Sequence, residues 1–154
     1  MKIEEQVLSR KQMAHLRELG IDTSDASLCW RWSNEDGGWV LGFMNPLLRE
    51  ISNPPYSEGP FPAYTVADLI EKLPKTLPYS RFIDVYLQLR PVQVIDNNDN
   101  IIDYALGVSY LAYGEKTYRR DAPNQLDNIP LKDKLFFALC WVAENHKELL
   151  EMKK

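Results

Sequence analysis

The stretch that most restricts what this chain can fold into is the last one, Asn128 to Lys154. Apolar residues recur there at helical spacing: Leu131, Leu135, Ala138, Leu139, Val142 and Leu149. Phe136, Phe137 and Trp141 widen that stripe beyond what a simple surface helix carries. Asn128 stands where an N-cap side chain would accept a backbone N–H. Pro130 falls near the first helical position, where its missing donor costs little. The pattern predicts one long helix, buried across a sheet or between layers.

A helix this apolar needs a sheet, and the residues before it supply one. Arg81 to Leu89 sets Ile83, Val85, Leu87 and Leu89 against Phe82, Asp84, Tyr86 and Gln88, the period of a half-buried strand. Pro91 marks a bulge or an edge, after which Val92 to Ile95 resumes the strand. Asp96 to Asn100 is a turn, and Ile101 to Tyr113 runs back. On the returning strand Tyr104, Leu106, Val108 and Tyr110 share one face. Ala105, Gly107 and Ser109 share the other and leave room for close packing. Gly114 to Asp127 is a polar loop into the last helix.

The first half is punctuated as clearly. Ser9 and Gln12 form a capping-box pair, flanked by Leu8 and Met13 in the two staple positions. Gly20 ends that helix, with Ile21 folding back onto Leu16. Arg10 to Leu19 is therefore a short helix whose apolar side is Met13, Leu16 and Leu19, too short to stand alone. Ser27 to Ser33 and Gly38 to Met44 read as a hairpin around Asn34-Glu35-Asp36-Gly37. Trp30 and Trp32 project to one face, Cys29 and Arg31 to the other. Asn45 to Tyr64 is a long connection containing Pro46, Pro54, Pro55, Pro60 and Pro62, with Leu47, Leu48 and Ile51 able to form a turn of helix. Thr65 caps a further helix with Asp68 three residues inside; Val66, Leu69, Ile70 and Leu73 form its stripe and Pro74 stops it.

At 154 residues the chain suits one domain, 1–154, with a proline-rich loop at 45–64. A formal net charge of −4 argues against a general nucleic-acid or anionic-membrane binder. Cys29 and Cys140 are too few for a disulfide scaffold and read as reduced, buried thiols. No signal peptide or transmembrane run is visible, so a cytoplasmic protein is expected.

The residues that could carry chemistry are weak one by one. Asp96, Asn98 and Asn100 have the spacing that opens a calcium loop, but Ile101 and Gly107 stand where that motif needs Gly and Glu. His15 and His146 lack partners at metal-ligand spacing; His15 faces out, and His146 sits where a cation meets the helix dipole. Cys29 or Cys140 as a nucleophile would need a base and an electropositive setting. Gly37-Gly38 lacks the spacing of a phosphate loop. Asp84 and Asp103 could meet across the long hairpin, but read better as two solvated strand residues. No catalytic residue, metal or cofactor is expected. The aromatic residues Trp30, Trp32, Trp39, Tyr56, Phe61 and Tyr64 either close one end of a core or form an interaction surface beside the proline-rich loop.

Three phrases carry a family resemblance: LSRKQMAHLRELGIDTSDAS (Leu8 to Ser27), PAYTVADLIEKLP (Pro62 to Pro74) and ALCWVAEN (Ala138 to Asn145). In these the chain resembles small uncharacterised proteins of prophages and other mobile elements of gut bacteria. The order of elements is similar to phage proteins described as alpha-beta-alpha sandwich domains. Gly38 to Pro60 fits the pattern least. The resemblance implies no catalytic residues and an origin in a mobile element.

The expected architecture is α+β: an antiparallel sheet of about four strands, from two hairpins, with two or three packed helices, those at Thr65 and Pro130 on one face. The expected role is a non-enzymatic accessory or protein-interaction module, with a possible protein partner and no nucleic acid or membrane. The alternative is a small-molecule-binding domain or cryptic enzyme with a pocket under the 45–64 loop. A nucleic-acid binder or DNA mimic is a third reading, and no phosphate-like rows of carboxylates support the mimic.

Overall fold

The computed structural model describes residues 2–43, 61–78, 84–112, 124–125 and 129–151. Its elements are antiparallel strands and short helices, an α+β fold. They fall into two compact units, Met1–Lys72 and Leu73–Lys154.

In the first unit a 3-10 turn (Ile3–Gln6) leads into α1 (Arg10–Glu18). Both halves of the capping box form: Ser9 Oγ accepts from Gln12 N at 3.2 Å, and Gln12 Oε1 accepts from Ser9 N at 3.0 Å. Two of the helix's otherwise orphaned donors are thereby satisfied. Leu8 and Met13, the staple pair, are buried. At the other end Ile21 N donates to Leu16 O and Gly20 N to Arg17 O, a Schellman stop. Gly20 takes φ 83°, a conformation that excludes most side chains.

Strands β1 (Leu28–Ser33), β2 (Gly38–Phe43) and β3 (Phe61–Ala63) form an antiparallel sheet in the order β2-β1-β3. The turn of the first hairpin closes through Gly37 at φ 65° and Ser33 Oγ, which donates to Asp36. β3 corrects the sequence reading, in which Asn45 to Tyr64 was connection throughout: Phe61, Pro62 and Ala63 pair with Trp30, Cys29 and Leu28. Pro62 is tolerated because β3 is an edge. Positions 44–60, including Tyr56 and the expected turn at Leu47, Leu48 and Ile51, lie outside the described residues. The core of the unit joins Val7, Leu28 and Ala63, with Trp30 and Leu41 packed against them. α2 (Val66–Lys72) follows, capped as expected: Thr65 Oγ1 accepts from Asp68 N, and the Asp68 carboxylate accepts from Thr65 N.

The second unit is built on β5 (Asp84–Ile95) and β6 (Ile101–Ala112), 12 residues each. β4 (Thr76–Pro78) and β7 (Asn124–Gln125) flank them in the order β4-β5-β6-β7. The sequence reading did not separate either flanking strand from loop, because two or three residues are too few to show a period. β5 runs through Pro91, which pairs with Leu106; the irregularity falls instead at Val94/Ile95. Among the described residues β4 reaches only Asp84 to Tyr86, so β5 has one strand partner at Pro91, where a missing donor is tolerated. The turn at Asp96 to Asn100 is a hairpin loop. Asp96 Oδ1 accepts from Asn98 N at 2.8 Å and Asn100 N at 3.0 Å, and Asp99 adopts φ 63°.

The last helix is two helices, a correction to the single one expected. α3 (Leu131–Asn145) ends at His146, whose backbone (φ −142°, ψ 45°) leaves the helical region, and α4 (Lys147–Glu151) restarts beyond it. Asn145 Nδ2 caps the carbonyl of Trp141, and His146 N still reaches Val142 O, so the broken turn keeps its hydrogen bonds. Pro130 stands just before the helix as its N-cap, and Asn128 lies outside the described residues. α3 packs on β6. Leu135, Ala138, Leu139 and Val142 are fully buried, whereas Phe137 is 48% exposed. Lys134, also buried, donates from Nζ to Leu106 O at 2.7 Å. The expected single sheet under both helices is replaced by two sheets, with α2 in the first unit and α3 in the second.

Candidate functional site

The register of the first sheet gathers its aromatic residues. Trp32 stands opposite Trp39, Trp30 opposite Leu41, and Phe61 opposite Trp30. Residues opposed across a ladder share a face, so all five side chains project from the same one. Trp32 and Trp39 meet edge to face, centroids 5.7 Å apart at 81°. Trp39 meets Phe61 at 5.4 Å and 64°. Such geometry puts a positive ring edge on a negative ring face.

α1 holds this row from its first residue. The Arg10 guanidinium lies 4.0 Å from the centroid of Trp39, a cation–π contact. A cation in a helix's first turn opposes the helix dipole; contact with the indole offsets that. The ends of the face differ. Trp30 is half-buried, and its Nε1 donates to Leu8 O at 2.9 Å. Trp32 is 50% exposed, with its Nε1 held by Asn34 Oδ1 at 2.9 Å.

Of the six sequence candidates, the fold thus brings together Trp30, Trp32, Trp39 and Phe61. Tyr56 lies outside the described residues. Tyr64 is core, 1% exposed, and its hydroxyl donates to Asp22 O at 3.0 Å and Asp25 Oδ1 at 2.5 Å. It therefore belongs to no surface. Lys72 Nζ donates to the same two residues, each at 3.0 Å. Beside them Asp68 accepts from both Ser27 N and Ser27 Oγ.

This polar group is not arranged for proton transfer. Burial, and then the bond to Asp25, push the Tyr64 hydroxyl far above the ordinary tyrosine range. A general base would need the opposite shift. The Asp22 carboxyl is held below the usual carboxylate range, mainly by the Ser24 backbone N–H. Burial also pushes the Cys29 thiol up, and the Cys140 thiol up to about 12. Neither has the lowered pKa of an activated thiol. His15 sits 3.7 Å from Glu18 on the surface, and His146 3.5 Å from Glu148 and against the Trp141 ring. Asp84 and Asp103 do not meet: Asp84 pairs with Pro78 and Asp103 with Val94. Among the described residues no three His, Cys, Asp or Glu side chains stand together as metal ligands. Among them, too, no helix is long and apolar enough to cross a membrane.

Clefts open among the described residues of the first unit, and two of them stand out. The larger, 620 Å³, lies between α1 and β3, where Arg17 and Glu18 face Phe61 and Pro62 across the loop Gly20 to Ser24. The smaller, 380 Å³, lies at the Leu28–Phe43 end of the β1–β2 ladder. The sequence led to the expectation of a pocket under the 45–64 loop, and Phe61 and Pro62 of that stretch line the larger cleft. It assigned Arg10 no role at a site. The one available signal was a cation placed directly after a helix cap.

No protein-family model matches this chain, and no curated protein or solved structure shows significant similarity to it.

Proposed function

We propose that the chain is a non-enzymatic interaction module whose first unit recognises a protein partner through Trp32, Trp39, Phe61 and Arg10. One observation carries the reading: Trp32 presents half of its indole to solvent while Trp39 and Asn34 hold it in place. Trp and Arg dominate the binding energy of protein interfaces. A side chain already held in one rotamer loses little entropy when a partner covers it. The raised pKa values of Tyr64, Cys29 and Cys140 support a non-catalytic role. From the resemblance of its three sequence phrases we further propose an accessory role in a mobile element.

The test is affinity capture from the native host with wild type, Trp32→Ala and Lys11→Ala baits. The reading expects a partner held by wild type and by Lys11→Ala, and lost with Trp32→Ala while the circular dichroism spectrum is retained. A partner held equally by all three baits refutes it.

The larger cleft favours a second reading, a small-molecule site. Its volume of 620 Å³ lies in the range of about 300–1,000 Å³ usual for ligand pockets, and Arg17, Asp22, Thr23 and Ser24 converge on it beside Phe61. A metabolite that shifts the amide resonances of Gly20 to Ser24 would select this reading over the first.

A further inference from the structure

The larger cleft brings opposite charges and an apolar wall together. Ala14, Arg17, Glu18 and Ile21 recur at helical spacing along one side of α1 and its stop, and all four line it. Gly20, at φ 83°, turns the chain back there, so that Asp22, Thr23 and Ser24 line the same cleft. The opposite wall is β3. It is an edge strand, so Phe61 and Pro62, which point to opposite faces of the sheet, both border its open side. Among the described lining residues Arg17, Glu18 and Asp22 bring one guanidinium and two carboxylates. Hydrogen bonds from Ser24, its backbone N–H first, hold Asp22 below the usual carboxylate range, so that it stays ionised at neutral pH. Burial draws the Arg17 guanidinium below its ordinary value, a direction that an anion beside it would oppose. Thr23 is 5% exposed, and among the described residues its hydroxyl has no hydrogen-bond partner. A hydroxyl this buried gains from an added partner.

We propose that this cleft binds a free amino acid with a large apolar side chain: its carboxylate on Arg17, its ammonium on Asp22 and the Thr23 hydroxyl, its side chain against Phe61. This ligand class deepens the small-molecule reading of the cleft and rests on it. The planar guanidinium offers a carboxylate two parallel N–H donors. An ammonium has three donors, which suit a carboxylate and a hydroxyl that accepts. A ligand with a negative charge alone would meet Glu18 and Asp22 with like charge, and one with a positive charge alone would meet Arg17 so. A zwitterion answers both signs. The volume of 620 Å³ leaves room for an aromatic side chain between α1 and β3.

Titration of the full chain with L-phenylalanine, followed through the amide resonances of Gly20 to Ser24 and by calorimetry, tests the class. Phenethylamine lacks the carboxylate and 3-phenylpropionate lacks the ammonium. Each should bind at least about tenfold more weakly than phenylalanine, the scale of one charge-assisted hydrogen bond. Asp22→Asn keeps the oxygen that accepts from Ser24 N. It should weaken phenylalanine and phenethylamine about tenfold and leave phenylpropionate unchanged. Arg17→Gln should weaken phenylalanine and phenylpropionate instead, and spare phenethylamine. Thr23→Val, nearly the same in shape, should side with Asp22→Asn. The class is overturned if phenylalanine shifts none of these amides, if either counterpart binds as tightly, or if the variants weaken all three ligands alike. The small-molecule reading itself fails on a different result, an extract of host metabolites that leaves the same amides unmoved.

Discussion

Tyr64 and Lys72 converge on the same two acceptors. The phenol and the ammonium each donate to the backbone carbonyl of Asp22 and to the carboxylate of Asp25. The loop after α1 is thereby fastened to β3's end and to α2 at one point. Tyr64→Phe keeps the ring and removes one donor, leaving both acceptors to Lys72. It should cost about 1–2 kcal/mol, read as a lower urea midpoint at unchanged slope. An unchanged midpoint would mean that Lys72 alone satisfies both acceptors.

The same tyrosine predicts alkaline weakening. Tyr64 and Tyr110 are both raised above the ordinary tyrosine value of 10.0, mainly by burial. The unfolded chain therefore loses these protons first as pH rises, and each contribution is complete below pH about 10 and declines above it. Cys140, raised from 9.0 to about 12, adds a decline that begins near pH 9. Unfolding free energy should fall from about pH 9 upward, and above pH 10 it should fall less steeply in the Tyr64→Phe, Tyr110→Phe double variant. Equal slopes in the two proteins would contradict this assignment.

Asp68 caps α2 and also holds Ser27. Removing a helix cap costs about 0.5–2 kcal/mol. Asp68→Ala loses the Ser27 bonds as well and should cost more than Thr65→Ala. In a double-mutant cycle Ser27→Ala and Asp68→Ala should couple by about 0.5 kcal/mol or more. Strictly additive effects would show that the Ser27 hydroxyl bond carries no weight.

α3 separates its two faces sharply. Leu139→Ala, at a fully buried position, should cost about 2–5 kcal/mol. Phe137→Ala, at a position 48% exposed, should cost less than half as much despite removing a larger side chain. Thermal unfolding of the two variants side by side settles the contrast.

Local signals proved readable where a few neighbouring residues decide the outcome. The Ser9/Gln12 box, the Gly20 stop, the Thr65 cap and the Asp96 turn each depend on side chains within about four residues of the backbone they serve, so their spacing appears directly in the chain. The break at His146 was not readable, because the apolar stripe continues through it to Leu149 and Leu150. β3 was hidden for a different reason. Three residues containing a proline carry no period, and only pairing with β1 makes them a strand.

The candidate site divides along the same line. Trp30, Trp32 and Trp39 were visible as a cluster, because a hairpin's register follows from its turn. Phe61 joined them, and Tyr64 left for the core, through contacts with residues dozens of positions away.

By itself the sequence determined the starts and stops of α1 and α2, the two hairpins and the α+β class, since periodicity and capping are properties of short windows. The tertiary structure alone decided that the hairpins stand in different sheets and that Arg10 covers Trp39. Those relationships depend on which strands and helices meet, and contacts between distant segments leave no period in a single chain.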